Sequence, residues 1–332
     1  MVDPPHRLVL CGGTRAAGLA AGLGCGDACP RGLRSRRSGL VPVGRRVNLN
    51  SPRDITAALR AAEIGPKKRW GQNFLVDGNV RRAIVALVDR RQDDRLWEVG
   101  PGLGALTELL LAAGPVTAFE IDWGLIAYLR TAFATDPLTI VAGDAVQTLR
   151  EAAHTEGAPD VVVGNLPYRS AAPILSALFE LSRPPRRIVA TVQKEMADRL
   201  VAPVGTRQYS AFTVAAAAVY RVHRPFDVRP ACFYPVPEVV SSVVVMDQRL
   251  DPVCAHHRAL FRQVKDSLFA GRRKTVLNNL KGRSDLGVRD ADHARSLLET
   301  AGITPSDRAE RVGVEAFGRL TEALAASRGA PS

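Results

Sequence analysis

The sequence predicts an α/β fold: a doubly wound, mostly parallel seven-stranded sheet followed by a small all-helical C-terminal domain. Three observations carry this. Seven short apolar runs recur between residues 96 and 246, most of them separated by stretches with helical spacing. The first runs straight into a glycine-rich bend, Gly100-Pro101-Gly102-Leu103-Gly104. The next three end at Glu120, Asp144 and Asn165, so successive strands deliver polar groups to one crevice at their carboxyl ends. The expected organisation is a basic, disordered extension over 1–50, a sheet domain over 51–250 and a helical domain over 251–332.

Composition narrows the classes of function. The chain has 332 residues, 46% of them hydrophobic, and a formal net charge of +12. No apolar stretch reaches the roughly 18 residues that span a bilayer. A sequence pI near 10.1 favours a polyanionic partner, nucleic acid before membrane, because no basic amphipathic anchor stands out. Cys11, Cys25, Cys29, Cys232 and Cys254 are odd in number and match no paired zinc spacing. Reduced thiols in a cytosol are the expectation, and no metal is implied.

Taken in order, residues 1–50 are rich in arginine and glycine, poor in acid and without persistent periodicity. Such an arm fits an RNA-clinging tail, an organellar transit peptide, or a true start of translation near Val47. Ser51-Pro52-Arg53-Asp54 caps a short helix through Leu59. Lys67-Lys68-Arg69-Trp70-Gly71 sets an aromatic among cations, a pattern that can meet phosphates and a base. Asn79–Val88 is helical. Leu96–Val99, Val116–Glu120 and Leu138–Asp144 read as the first three strands. Glycines at the bend after Val99 let the backbone approach a ligand, and the helix through Leu106–Leu111 adds a positive dipole end. Glu120 can accept both hydroxyls of a ribose, a pairing that fits NAD equally well. Asp144 can accept from an adenine amino group or cap the following helix. No phosphate-binding lysine loop is present, so the cofactor reads as a nucleoside without a pyrophosphate, namely S-adenosylmethionine.

The fourth strand, Asp160–Gly164, ends at Asn165-Leu166-Pro167-Tyr168. This cluster suits methyl transfer to an exocyclic amine, whose lone pair is delocalised into the ring. A side-chain amide oxygen and a backbone carbonyl that accept its two hydrogens favour a pyramidal, more nucleophilic nitrogen. Asn165 supplies the first acceptor and a carbonyl within Leu166-Pro167 the second; Pro167 has no N–H to compete. Tyr168 offers a flat face to a base drawn out of its stack. Ala172–Leu181 is then helical, and Arg187–Val192 is a strand. Val214–Val222 and Val239–Met246 read as an antiparallel pair that closes the sheet. Lys194 and Arg199 lie on the rim of the active loop. In the tail, Ala259, Phe261, Val264, Leu268 and Phe269 make one apolar face. Arg272-Arg273-Lys274 is a phosphate-contact candidate. Val314, Phe317, Leu320 and Leu324 form a closing helix.

These motifs together resemble the ribosomal RNA adenine N6,N6-dimethyltransferases, the KsgA type, over about residues 51–328. The resemblance is carried by Gly71-Gln72-Asn73-Phe74-Leu75, Glu98-Val99-Gly100-Pro101-Gly102, Glu120-Ile121-Asp122, Asp144-Ala145 and Asn165-Leu166-Pro167-Tyr168. Downstream it continues through Gln193-Lys194-Glu195, Phe233-Tyr234-Pro235-Val236-Pro237 with Val239 and Ser241, Arg272–Thr275 with Asn278-Asn279-Leu280, and Arg308–Arg311. It implies a Rossmann-like methyltransferase sheet and a cofactor held by Asn73, Leu75, Gly100, Glu120, Asp144 and Asn165. It also implies Phe233 packing against the target adenine. The implied substrate is two adjacent adenines in a hairpin loop near the 3′ end of small-subunit rRNA, each dimethylated, in the assembling 30S particle. The expected chemistry is in-line displacement by a monomeric enzyme, with the N6 proton lost to water. Arg169, Ser170 and Ala171 stand where the family usually has Asn-Ile-Ser; Tyr209-Ser210 replaces Tyr-Gly in a loop expected between helix and strand; Trp97 replaces a smaller residue. The Arg272–Lys274 region argues against a large-subunit methyltransferase of the macrolide-resistance type. Intact Asn165–Tyr168 and Glu120 argue against a non-catalytic transcription-factor relative.

Overall fold

The structure is a computed structural model that describes residues 46–61 and 73–329. Lys67–Gln72 and the extension up to residue 45 lie outside the described residues. The expectation of disorder to residue 50 runs too far. Arg46 Nη2 meets both carboxylate oxygens of Asp136 at 2.7 and 2.9 Å, and its guanidinium lies 4.7 Å from the Phe133 ring centroid. Leu49 is buried in the core beside them. These contacts join the segment to helices and loops far along the chain, which local composition does not register.

In chain order the elements begin with α1 (Pro52–Ala61), β1 (Phe74–Leu75), α2 (Gly78–Ala86), β2 (Leu96–Val99), α3 (Thr107–Leu111) and β3 (Val116–Glu120). Next come α4 (Trp123–Ala132), β4 (Leu138–Ala142), α5 (Ala145–Thr155), β5 (Val161–Asn165) and α6 (Ala171–Phe179). After them follow β6 (Arg187–Gln193), α7 (Lys194–Leu200), α8 (Ala211–Val219), β7 (Tyr220–Val228), β8 (Phe233–Tyr234) and β9 (Ser241–Gln248). A C-terminal helical region comprises α9 (Arg258–Phe269), α10 (Val276–Leu280), α11 (Ala291–Thr300) and α12 (Val314–Gly329). Among the described residues no helix is long and apolar enough to cross a membrane.

Seven strands form one sheet in the order β4-β3-β2-β5-β6-β9-β7. β2 to β6 are parallel, and β9 runs antiparallel between β6 and β7. Chain order reverses between β2 and β5, and there the carboxyl ends open a crevice. The two strands approach closely: a Cβ on Gly164 would lie 2.5 Å from the Val99 carbonyl oxygen, so only glycine fits. Alternation along β5 sends Val161 and Val163 to one core and Val162 to the other. Trp97 is buried in the second core with its ring 4.7 Å from that of Phe119, which accounts for a large residue in the first sheet strand.

The residues 214–219, expected as strand, are helical. An apolar run of this kind has no period that separates helix from strand. The decision lies at its start: Ser210 and Thr213 form a reciprocal capping box, and four alanines follow from Ala215. Ser210 therefore opens a helix, not a helix-to-strand loop. The antiparallel pair that completes the sheet is β7 with β9. In the C-terminal region Phe261, Val264 and Leu268 of α9 pack with Leu297, Phe317, Leu320 and Leu324, and this core also takes in Tyr209, Val214 and Ala218. Ala259 is exposed, because it stands two residues from Phe261 and so faces away from the 261/264/268 stripe.

Candidate cofactor and target site

A cavity of about 400 Å³ opens at the carboxyl ends of β2, β3 and β5. Gly100, Gly102, Glu120, Asp144, Asn165–Ser170, Asn73 and Leu75 all line it. Gly102 has φ +59°, and a Cβ there would press to 3.1 Å from the Phe74 ring, so the turn needs glycine both for conformation and for space. The Gly102 N–H donates to Glu120 Oε2 at 3.2 Å, while Glu120 Oε1 accepts from the N–H groups of Ile121 and Asp122 at 2.9 and 3.0 Å. The carboxylate thus staples the end of β3 to the glycine turn. Asp144 serves as N-cap of α5, with Oδ1 accepting from Val146 N at 2.9 Å, and is also exposed in the cavity wall. Capping uses Oδ1, and Oδ2 accepts no hydrogen bond among the described residues.

At the end of β5 the Asn165 side-chain amide donates from Nδ2 to the Asn73 carbonyl at 2.7 Å. A carbonyl can only accept, so this bond fixes the amide orientation and leaves Asn165 Oδ1 as the remaining acceptor. Pro167 O is already taken by the N–H groups of Ser170 and Ala171, at 3.0 and 2.9 Å, where α6 begins. The Leu166 carbonyl accepts no hydrogen bond among the described residues. Of the two carbonyls the sequence offered as a second acceptor, Leu166 is therefore the one available.

Tyr168 is half-buried, and its hydroxyl meets Ser241 Oγ, at the start of β9, at 2.6 Å. Burial pushes the Tyr168 phenol up, so at neutral pH it is a ring face and a hydrogen-bonding hydroxyl rather than a base. Ser241 is fully buried and holds the far end of the ring. Tyr168→Phe and Ser241→Ala each delete this bond, worth about 1 kcal/mol. Each is expected to lower kcat about fivefold, and the double variant to be no slower than either single one. A double-mutant cycle on initial rates checks this; additive losses would show that the bond does not position the ring.

Three carboxyl groups, Glu98, Glu120 and Asp144, line the cavity against one guanidinium, Arg169. Burial, together with the neighbouring Glu120 charge, pushes Glu98 up to about 8, against the opposing hydrogen bond from Thr107 Oγ1 at 2.7 Å. Burial also raises Glu120, opposed by its three backbone N–H donors. The sequence reading missed Glu98, Phe74 and Ser241 as site residues. For Glu98 a signal existed, since a carboxylate in the middle of Leu96-Trp97-Glu98-Val99 has no solvent-exposed face to occupy.

Phe233, expected against the target adenine, lies in β8. It is 2% exposed and packs in the core with Leu75, its partner across the β1–β8 ribbon, and it does not line the cavity. The aromatics in the wall are Phe74, Phe119 and Tyr168. Among the basic candidates, Lys194 Nζ pairs with Asp227 Oδ2 at 3.1 Å and Arg199 pairs with Glu195. Arg272, Arg273 and Lys274 are exposed in the turn between α9 and α10, and Arg272 donates to the Arg207 carbonyl in the α7–α8 connection at 2.8 Å.

Residues 65–325 match the family model described as ribosomal RNA adenine dimethylase. A ribosomal RNA small subunit methyltransferase A of Treponema pallidum is 37% identical over 283 residues, covering 84% of this chain and 98% of that one. A protein of the same name from Geobacter sulfurreducens is 38% identical over 276 residues, covering 82% and 99%. Among solved structures, a dimethyladenosine transferase from Plasmodium falciparum superposes with TM-score 0.64 at 22% identity, covering 74% of this chain and 95% of that one. The 23S rRNA methyltransferase ErmE does so with TM-score 0.57 at 24% identity, covering 76% and 100%. At these identities the two structures speak for the fold alone. The family match spans most of the chain and takes in the glycine turn, the strand-end acids and the Asn165–Tyr168 loop, so the chain belongs to the ribosomal RNA adenine dimethylase family.

Proposed function

We propose that this chain transfers methyl groups from S-adenosylmethionine to N6 of two adjacent adenines in the 3′-terminal hairpin loop of small-subunit rRNA, during assembly of the 30S particle. The observation that carries the reading is the paired acceptor at the end of β5. Asn165 Oδ1, oriented by the Asn73 carbonyl, and the Leu166 carbonyl are both open to accept, with no N–H at Pro167 beside them. An amine with two hydrogens fits this arrangement at the first transfer, and the monomethylated amine keeps one hydrogen for one of the two acceptors at the second; a ring nitrogen without a hydrogen would engage neither. Small-subunit specificity is supported by the names of the curated relatives and by the extent of their overlap with this chain.

The residues present fit the cofactor. The glycine turn is a cradle that side chains would fill, and the cavity carries more carboxyl groups than cations. Among the described residues of the lining a dinucleotide's pyrophosphate would find Arg169 as its one cation, which favours a ligand without a pyrophosphate. Asn73, Leu75, Gly100, Glu120, Asp144 and Asn165 would hold it, with Glu120 toward the ribose and Asp144 toward the adenine amine. When bound, the cofactor supplies a methyl group activated by a sulfonium centre. Asn165 and Leu166 orient the target amine and draw its hydrogens out of the ring plane, Tyr168 presents its ring to the base, and the enclosing walls exclude water. Arg272, Arg273 and Lys274 would meet RNA phosphates. Lys194 and Arg199 would contribute less, since each already faces a carboxylate. The free thiols Cys232 and Cys254 accord with a reducing, cytoplasmic setting.

The test is mass spectrometry of rRNA from cells with and without the gene. Dimethyladenosine is expected to vanish from the small-subunit 3′ hairpin in the deletion and to return with the wild-type gene. Unchanged small-subunit dimethyladenosine, with loss from large-subunit rRNA, would reassign the substrate.

A further inference from the structure

Arg169 follows the base-facing tyrosine directly. It is exposed, it lines the cavity, and it makes no hydrogen bond or ion pair among the described residues. Several other arginines of the sheet region behave differently: Arg150, Arg183, Arg186, Arg187, Arg199 and Arg224 each face a carboxylate. Glu120 and Asp144 line the same cavity, yet neither pairs with Arg169. A guanidinium left open at the mouth of a pocket is poised for an anion that arrives with the substrate.

Two anions could arrive, the carboxylate of the cofactor and a backbone phosphate of the RNA, and sheet order favours the second. In the sequence β4-β3-β2-β5-β6, Asp144 follows β4, Glu120 ends β3 and the glycine turn follows β2. A nucleoside cofactor laid along those three strand ends lies on one side of β5. Arg169 lies after β5 and leads into α6, directly after the Asn165–Tyr168 loop read as the target site. A nucleotide extruded from its stack carries its own backbone phosphates to the pocket mouth. The guanidinium fork suits a phosphodiester, which it can meet with two parallel hydrogen bonds.

We propose that Arg169 binds a backbone phosphate flanking the target adenine and so anchors the extruded nucleotide while Tyr168 receives its base. This rests on the reading of the Asn165–Tyr168 loop as the target site, and the test keeps the two apart. The probe is a synthetic RNA hairpin with two adjacent loop adenines, made either with ordinary linkages or with a single neutral methylphosphonate beside the target. Equilibrium binding is measured over a salt series, transfer at saturating cofactor, and cofactor affinity by calorimetry.

Arg169→Ala is expected to raise KM and Kd for the ordinary hairpin about tenfold, the usual loss for one charge-assisted contact. It should flatten the slope of log Kd against log salt by about 0.7, the share of one single-strand phosphate. Cofactor affinity should hold. Arg169→Lys should keep the salt slope and recover part of the affinity. The methylphosphonate should cost the wild type the same tenfold and cost Arg169→Ala nothing further. If Arg169→Ala instead weakens cofactor binding, the guanidinium serves the cofactor carboxylate and the proposal falls. It also falls if variant and methylphosphonate losses multiply, or if RNA affinity does not change. Absence of transfer by the wild type, with the binding differences intact, would overturn the activity reading and leave the phosphate contact standing.

Discussion

Asn165→Ala is expected to reduce methyl transfer by about 10²–10³-fold at saturating cofactor and RNA, the scale for removing one positioned polar group that acts in the transition state. The variant should stay folded. Asn165 is only partly buried, and the substitution deletes one hydrogen bond, to the Asn73 carbonyl, worth about 1 kcal/mol. Initial rates with near-ultraviolet circular dichroism on the same samples check both halves of the statement. Asn165→Asp sharpens it. A carboxylate keeps an acceptor for the amine but has no N–H for the Asn73 carbonyl, so two acceptors face each other and the side chain turns away. If acceptor chemistry alone sufficed, Asp would retain most of the activity. If orientation by Asn73 matters, Asp should fall nearly as far as Ala. Near-normal turnover in Asn165→Ala would remove the paired-acceptor account and with it the reason to single out an exocyclic amine.

The parts of this site that were legible in the sequence are those held by neighbours in the chain. The glycine turn, Glu120 and Asp144 each sit where an apolar run stops, and punctuation of that kind is local. Asn73 and Leu75 entered through family resemblance, not through spacing. What sequence pattern could not give is pairing across distance. Asn165 is oriented by a carbonyl 92 residues away, and Tyr168 by a hydroxyl 73 residues away. The Asn73 carbonyl carries no mark of its own, since a backbone carbonyl has no residue identity, and nothing local ties the Ser241 hydroxyl to Tyr168. The surroundings of Phe233 were hidden for the same reason. Its burial follows from β1 pairing with β8, two residues against two, a ladder too short to leave a periodic trace. Val214 failed differently: an unbroken apolar run is compatible with helix or strand, and a polar cap outside the run decided it. Arg46 shows the converse, an ordered residue in a stretch whose composition reads as disordered.

Glu120→Gln is expected to weaken S-adenosylmethionine binding about 30- to 100-fold, read by calorimetry, with a smaller change in transfer rate at saturation. Two effects combine. The carboxylate would accept from ribose hydroxyls, and charge-assisted bonds of that kind contribute about 1.5–3 kcal/mol, against 1.4 kcal/mol per tenfold in affinity. It also accepts three backbone N–H groups, from Gly102, Ile121 and Asp122, which bind the glycine turn to β3 before any ligand arrives. An amide has one accepting oxygen, so its NH₂ must face one set of donors, and either the turn or the ribose contact loosens. Glu120→Asp discriminates between these contributions. It keeps the charge but is one methylene shorter, so it should lose the reach to Gly102 while the charge stays near the pocket. A Glu120→Asp protein that binds as weakly as Glu120→Gln would show that the staple across the turn dominates. One that binds nearly as well as wild type would assign the loss to charge. Wild-type affinity in Glu120→Gln would mean that the nucleoside does not lie along β3, and the assignment of Asp144 and the glycine turn to the same ligand would go with it.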